Sequence, residues 1–121
     1  MKITTINGEF SVCKIQDIKG INLKNEFYFL AKTDEEISLV CLTEHVPADV
    51  IEREDGWKAF RVQAVLDFSL VGIMAKLSGL LAENGISIFA ISTYNTDYIL
   101  TKANVYQRVL TVLIQAGYDV R

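Results

Sequence analysis

The sequence is poor in the residues that build metal and thiol chemistry. Its 121 residues include two cysteines, one histidine and one proline. No Cys-x-x-Cys pair is present, and His45 with Cys13 and Cys41 cannot complete the four-ligand site that zinc prefers. We therefore expect no metal ion and no cofactor, and we expect both cysteines to be buried free thiols.

Clusters of basic residues and long apolar runs are also missing. Twelve Lys and Arg residues are scattered among fifteen Asp and Glu residues, for a net charge of −3. Binding to nucleic acid needs clustered cations that neutralise phosphates, so we expect no nucleic-acid partner. No apolar run approaches the roughly 20 residues that cross a bilayer, and the N-terminal residues do not have the pattern of a signal peptide. We expect a cytoplasmic protein without a membrane partner.

A catalytic set of residues is equally hard to find. Covalent catalysis needs a nucleophile with a base within reach, and the only histidine, His45, lies in a predicted loop beside Pro47. The sequence DFSLVG at positions 67–72 lacks the arginine that a phosphate-cradling turn of the acylphosphatase kind would need. The sequence therefore predicts a protein that is not an enzyme.

What the sequence does contain is a regular succession of strand and helix patterns after residue 56. A first helix is predicted between Ser69, a possible N-cap, and Gly85, because its apolar residues recur at helical spacing. A second helix is predicted from Val105 to Ala116, with Asn104 as its N-cap and Gly117 as its stop. The apolar stripe of the first helix consists of Ile73, Leu77, Leu80 and Leu81. The predicted strands cover residues 57–68, 86–93, 98–102 and 118–121.

This order is the split βαβ arrangement of an α+β, ferredoxin-like fold, written βαββαβ. The first half shows strand patterns without comparable helices. A turn at Asn7-Gly8 precedes a strand at Phe10–Ile15, and one or two helical turns are predicted at Ala48–Glu54. A hairpin of strands is predicted at Phe27–Thr33 and Ile37–Thr43. We interpret residues 1–56 as a degenerate, β-rich copy of the domain at residues 57–121.

Two polar clusters are candidate parts of a ligand site. The first is the turn that enters the predicted first helix, where free amide groups suit a carboxylate and Gly72 allows close approach. It comprises Asp67, Phe68, Ser69, Leu70, Val71 and Gly72. The second lies between two strands and comprises Ser92, Thr93, Asn95, Thr96 and Asp97. Helix capping by Ser69, or an ordinary polar hairpin turn, would also explain these residues.

The segment GISIFAISTYNTDYILTK at 85–102, preceded by FSLVGIMAKLSGLLAENG at 68–85, resembles the ACT domain family. It is similar to small tandem-ACT proteins and to the ACT modules of aspartate kinases and cytosolic arginine sensors. The resemblance covers about residues 57–117, while the first half matches only in its layout.

The resemblance implies a regulatory protein that binds a free amino acid at an interface between ACT domains. The turn at 68–72 would contact the backbone groups of the amino acid, and Asp97 would hold its ammonium or side-chain cation. Ser92 and Thr93 would line the same site. The implied partner is a second copy, paired through the ACT sheets. The alternative is an assembly module that oligomerises or docks on an enzyme without binding a ligand.

Overall fold

The structure is a computed structural model that describes residues 2–63 and 72–121. The chain divides into two compact units, which we name by their content. The helical unit comprises the residues up to Asn7 together with 58–121, and the strand unit comprises 8–57. The strands are β1 (Lys2–Thr5), β2 (Phe10–Ile15), β3 (Phe29–Lys32), β4 (Ile37–Leu42), β5 (Glu52–Gln63), β6 (Phe89–Ser92), β7 (Asp97–Lys102) and β8 (Asp119–Val120), and the helices are α1 (Ile73–Glu83) and α2 (Tyr106–Gln115).

The helical unit has the predicted α+β, ferredoxin-like architecture. Its strands follow the order β6-β7-β5-β1-β8, with β1 antiparallel to β5 and β8 parallel to β1. β1, the first strand of the chain, thus has a strand of this unit on each of its two edges. The predicted domain boundary between residues 56 and 57 stays a prediction.

Both helices bury an apolar stripe in the core of the helical unit, and the stripe of α1 is the predicted one. On α1, Leu77 and Leu81 are fully buried, and Ile73 and Leu80 pack beside them. On α2, the buried residues are Tyr106, Val109 and Leu113. The core also includes Ile3, Phe60, Val62, Ile86 and Ile99. The 3.6-residue period therefore predicted correctly which face of α1 is buried.

The predicted glycine stops are confirmed, but one predicted start is wrong. Gly85 has a φ of 71°, and the Ile86 amide donates to the Leu81 carbonyl at 3.0 Å, as in a Schellman motif. The same bond joins Tyr118 to Leu113 next to Gly117. Asn104 does not cap α2, because residues 103–105 form a 3-10 turn and α2 begins only at Tyr106. The predicted N-cap of the first helix, Ser69, lies outside the described residues.

Tyr106 joins α2 to the sheet of the helical unit. Its hydroxyl donates a hydrogen bond to the Ala59 carbonyl at 2.8 Å, and burial raises its pKa to about 12. The Lys58 ammonium lies 5.4 Å from the centre of its ring, within the range of a cation–π contact. The phenol therefore stays neutral at physiological pH and serves as a donor.

Replacing Tyr106 by phenylalanine is expected to lower the free energy of unfolding by about 1 kcal/mol. The Ala59 carbonyl would lose one donor but would keep the bond from the Ile6 amide, which limits the loss. Urea unfolding followed by circular dichroism measures the change. Tyr94→Phe is the control, because the Tyr94 side chain is 93% exposed, and its stability should match the unmodified protein. Equal losses in both variants would contradict the assigned role.

The strand unit has the same strand layout without helices. Its strands follow the order β3-β4-β2-β5, all antiparallel. Its small core consists of Cys13, Ile15, Leu39 and Cys41. Apolar residues from the loops pack on that core where the helical unit has helices, namely Ile21, Tyr28, Val46 and Val50. The strand order agrees with the interpretation of the first half as a β-rich copy, which stays a prediction.

Two details of the strand unit bear on the predictions. Cys13 and Cys41 are buried free thiols, as predicted, and burial raises both pKa values, that of Cys41 to about 11. The helical turns predicted at Ala48–Glu54 are wrong, because β5 begins at Glu52 and the Ile51 amide bonds to the Lys14 carbonyl at 2.8 Å. Pairing with β2 takes the backbone groups that a helix would use.

Candidate functional site

The first part of the candidate site that the structure describes is the start of α1. Gly72 occupies the N-cap position with a φ of 84°, and no side chain caps this end within the residues described. Its carbonyl accepts the first helical bond, from the Lys76 amide, at 2.9 Å. A Cβ at Gly72 would meet nothing within 4 Å among the described residues. Of the first predicted cluster only Gly72 is described, and Asp67, Phe68, Ser69, Leu70 and Val71 lie outside the described residues.

The second predicted cluster forms the turn between β6 and β7. The Thr93 amide donates to the Thr96 carbonyl at 2.9 Å, and the Thr93 hydroxyl donates to the same carbonyl at 2.8 Å. The Thr96 amide in turn donates to the Thr93 hydroxyl at 3.3 Å. These bonds close a four-residue turn with the strongly exposed Tyr94 at its tip. The Thr93 hydroxyl is therefore engaged in shaping the turn.

Thr96 connects this turn to β5, the strand that precedes the first predicted cluster in the sequence. Its hydroxyl donates to the Val62 carbonyl at 2.8 Å. Val62 is the residue before the last one of β5. The bond holds the end of β5 and the turn between β6 and β7 together within the helical unit.

The remaining members of the second cluster keep their polar groups available. Ser92 and Asp97 are opposite each other at the ends of β6 and β7. Ser92 and Asn95 are exposed, and Asp97 is half-buried. Within residues 2–63 and 72–121, none of these three side chains has a hydrogen-bond or ion-pair partner. Asp97 thus places beside the turn a carboxylate that has no partner among these residues.

The strand unit repeats this hairpin with a different set of polar side chains in its turn. Phe29 pairs with Val40 in the β3–β4 hairpin, and Phe89 pairs with Leu100 in the β6–β7 hairpin. The two hairpins therefore have the same register, and equivalent residues differ in number by 60. Thr33 corresponds to Thr93, and its hydroxyl accepts from the Glu36 amide at 3.2 Å. The threonine is therefore a feature of the repeated turn. Asn95 and Asp97 are not repeated, because the strand unit has Glu35 at the position of Asn95 and Ile37 at the position of Asp97.

A polar network in the strand unit was missed by the sequence reasoning. Ser11 is fully buried, and its hydroxyl donates to the Asp55 carboxylate at 2.5 Å and lies 2.9 Å from the Thr43 hydroxyl. Arg53 holds both oxygens of Asp55, at 3.0 and 3.2 Å. The bond from Ser11, with the help of Arg53, holds the pKa of Asp55 below its usual range.

This network fits a structural role better than a chemical one. A lowered pKa makes the Asp55 carboxylate a weaker base, which is less suited to activating the serine hydroxyl. Its bonds instead join β2 to β5 and to the residue after β4. The only signal for it in the sequence is a serine within the apolar run FSVC at 10–13. Among the residues that the structure describes, there is also no group of three or more metal-ligating side chains, and no helix is long and apolar enough to span a membrane.

Comparison with known proteins identifies the family. Residues 52–115, more than half of the chain, match the sequence model of the ACT domain. The chain belongs to the ACT domain family. No curated protein matches this ACT chain.

Solved structures agree with this assignment. An Agobacterium tumefaciens protein is similar with 28% identity and a TM-score of 0.88, covering 99% of this chain and 91% of its own. A Vibrio cholerae protein of unknown function, described as a possible transport protein, has 20% identity and a TM-score of 0.74, with 94% and 88% covered. The regulatory subunit of aspartate kinase from Thermus thermophilus has 13% identity and a TM-score of 0.64, with 97% and 98% covered. The last two show a common fold.

Proposed function

We propose that this ACT protein is a non-catalytic, cytoplasmic regulator that binds a free amino acid. The ligand binds at an interface between ACT domains of two chains that pair through their sheets. ACT domains are regulatory modules and often bind amino acids, and one structural neighbour is a kinase regulatory subunit. These similarities support a regulatory role, and the arrangement of polar groups supports the ligand class.

The bond between Thr96 and Val62 is the observation that carries the proposal. It holds the β6–β7 turn beside the end of β5, the strand that leads into the predicted turn at 67–72. The other two parts of the proposed site are the start of α1 at Gly72, where no described side chain caps the helix, and the Asp97 carboxylate, which lacks a partner among the described residues.

The chemistry of these two groups is complementary to an α-amino acid. Amide groups at a helix start favour a carboxylate, through hydrogen bonds and the helix dipole. A half-buried carboxylate favours an ammonium or guanidinium group. In the proposed complex the turn at 68–72 binds the ligand carboxylate, Asp97 binds its cation, and Ser92 and Asn95 supply hydrogen bonds.

A thermal-shift screen with the twenty amino acids, followed by calorimetry, tests the proposal. A ligand present at about 100 times its Kd should stabilise the protein by about 2.7 kcal/mol. Asp97→Asn keeps the side-chain shape but removes the charge, and it should weaken binding at least about tenfold. The control is Asp34→Asn, an exposed acid in the β3–β4 turn, which should bind normally. The absence of a shift for every amino acid would reject the proposal, as would normal binding by Asp97→Asn.

One observation favours a second function, that of a ligand-free assembly module. The hydroxyls of Thr93 and Thr96 are already bonded within the protein, and Thr33 makes similar bonds in the strand unit. The second polar cluster could therefore be mainly a structural turn. Such a module would oligomerise or bind a partner enzyme without any amino acid. Light scattering tests this function, and a strict monomer at high concentration would reject its self-associating form.

A further inference from the structure

The sheet of the helical unit has a polar face on the side turned away from its core. Ile3 and Val62 point into the core, so the residues next to them on β1 and β5 point the other way. The end of β8 continues this face, because Val120 lies opposite Ile3 and packs on the core with it. We define the basic face as Lys2, Thr4, Arg61, Gln63, Asp119 and Arg121.

The amide and carboxylate acceptors of the basic face are already engaged within it. The Thr4 hydroxyl donates to Oε1 of Gln63 at 2.9 Å. The Asp119 carboxylate, the only acidic side chain of the face, accepts from Nε of Arg121 at 3.2 Å. The amide nitrogen of Gln63 is left as a donor, since its oxygen faces Thr4. The face therefore offers more donors than acceptors.

Arg61 is the residue of this face whose donors most lack an acceptor. Its side chain is half-buried and its Nε is fully buried, and no acceptor in the described parts of the chain bonds to that nitrogen. A buried donor that stays unsatisfied costs stability, and more so when the group is charged. A guanidinium presents a planar fork of N–H groups that matches two oxygens of one anion. An external oxyanion would satisfy this donor.

Lys2 supplies a second positive charge close to Arg61. It lies opposite Gln63 on β5 and Asp119 on β8, is exposed, and forms no ion pair with the residues that the structure describes. Lys2 and Arg61 are diagonal neighbours on β1 and β5, because Thr4 is the residue opposite Arg61. Such neighbours are about 7–8 Å apart, which long side chains can span. Both cations can therefore reach one small anion.

We propose that the basic face binds a phosphate group, held by the guanidinium of Arg61, the ammonium of Lys2 and the amide nitrogen of Gln63. The pair formed by Asp119 and Arg121 is neutral, so Lys2 and Arg61 leave two positive charges. A phosphate group carries up to two negative charges and has three acceptor oxygens, whereas a carboxylate has one charge and two oxygens. The ligand is either the free ion or a small phosphate monoester.

This site is separate from the proposed amino-acid site. Asp97 lies two residues before Ile99 on β7, and Ile99 belongs to the core of the helical unit. Asp97 therefore points to the core side of the sheet, whereas Arg61 points to the opposite side. Asp97→Asn should consequently leave phosphate binding unchanged, even where it abolishes amino-acid binding.

Calorimetric titration of the complete chain with inorganic phosphate, at constant ionic strength in sodium chloride, tests the proposal. Binding should be saturable, and Arg61→Gln should raise the Kd at least about tenfold. Arg61→Lys keeps the charge but loses the fork, so it should restore only part of the affinity. Lys2→Gln removes an exposed charge and should raise the Kd about threefold. It carries the test alone if Arg61→Gln does not fold.

Lys76→Gln is the matched control, because it removes a positive charge at an exposed position of α1, and it should bind phosphate normally. The absence of saturable binding would overturn the inference, as would normal binding by Arg61→Gln and Lys2→Gln. Acetate that binds as tightly as phosphate would reject the ligand class, and loss of phosphate binding in Asp97→Asn would reject a separate site. Tighter binding of glycerol phosphate than of inorganic phosphate would assign the site to a monoester, and weaker binding would assign it to the free ion.

Discussion

Replacing Leu77 by alanine should lower the free energy of unfolding by about 3 kcal/mol. Leu77 lies on α1 with no exposed surface, in the core cluster that includes Phe60, Ile99 and Leu113. Removing its branched end leaves a cavity that the surrounding strands and helices can fill only in part. Packing of an amphipathic face supplies most of the stability of a helix in a protein, so the loss of this side chain should act directly on α1.

Leu23→Ala is the matched control for this experiment. Leu23 lies in a loop of the strand unit and is 65% exposed, so the same substitution should change stability by less than about 0.5 kcal/mol. Chemical denaturation of both variants measures the difference. Similar losses at the two positions would contradict the assignment of Leu77 to the core. A large loss of stability in Leu77→Ala should also weaken amino-acid binding, because α1 positions the amide groups at Gly72.

Features that depend on neighbouring residues were predictable from the sequence. The stripe on α1 and the stop at Gly85 follow from spacing within a few turns of one helix. The hairpin β6–β7 follows from two strand patterns that flank a polar turn. Each of these depends on bonds between residues that are close in the sequence, so local propensity and the tertiary structure agree.

Features that depend on distant pairing were not predictable. Nothing near Lys2 indicates that β1 pairs with β5 and β8, more than 50 residues away. Ala48–Glu54 has residues that suit a helix, yet the Ile51 amide bonds to the Lys14 carbonyl and β5 starts at Glu52. Tertiary hydrogen bonds overrode a weak local preference in this segment.

The candidate site could be predicted only as a set of residue types. A threonine in a polar turn looks the same in a sequence whether it binds a ligand or closes the turn. The hydrogen bonds of Thr93, and the similar bonds of Thr33 sixty residues earlier, show that this hydroxyl closes the turn. Asp97 is different, because its counterpart at that distance is Ile37 and the turn does not need its carboxylate. The repeat within one chain thus separates structural side chains from candidate ligand-binding ones.

Gly8→Ala is expected to lower the free energy of unfolding by about 2 kcal/mol. Gly8 follows Asn7 in the turn between β1 and β2 and has a φ of 95°, a conformation that alanine adopts only with strain. A Cβ there would lie 2.9 Å from Cδ2 of Leu42. The end of the leucine side chain can move aside, so we expect the backbone conformation to account for most of the loss.

Gly79→Ala should have the opposite effect, and this contrast tests the explanation. Gly79 lies within α1, is exposed, and has nothing within 4 Å of an added Cβ. Alanine favours the helix and restricts the unfolded chain, so stability should rise by about 0.5 to 1 kcal/mol. Urea unfolding of the two variants gives both values under identical conditions. If Gly8→Ala proved neutral, the turn would not require a positive φ, and the Asn7-Gly8 pair would owe its place to something other than backbone conformation.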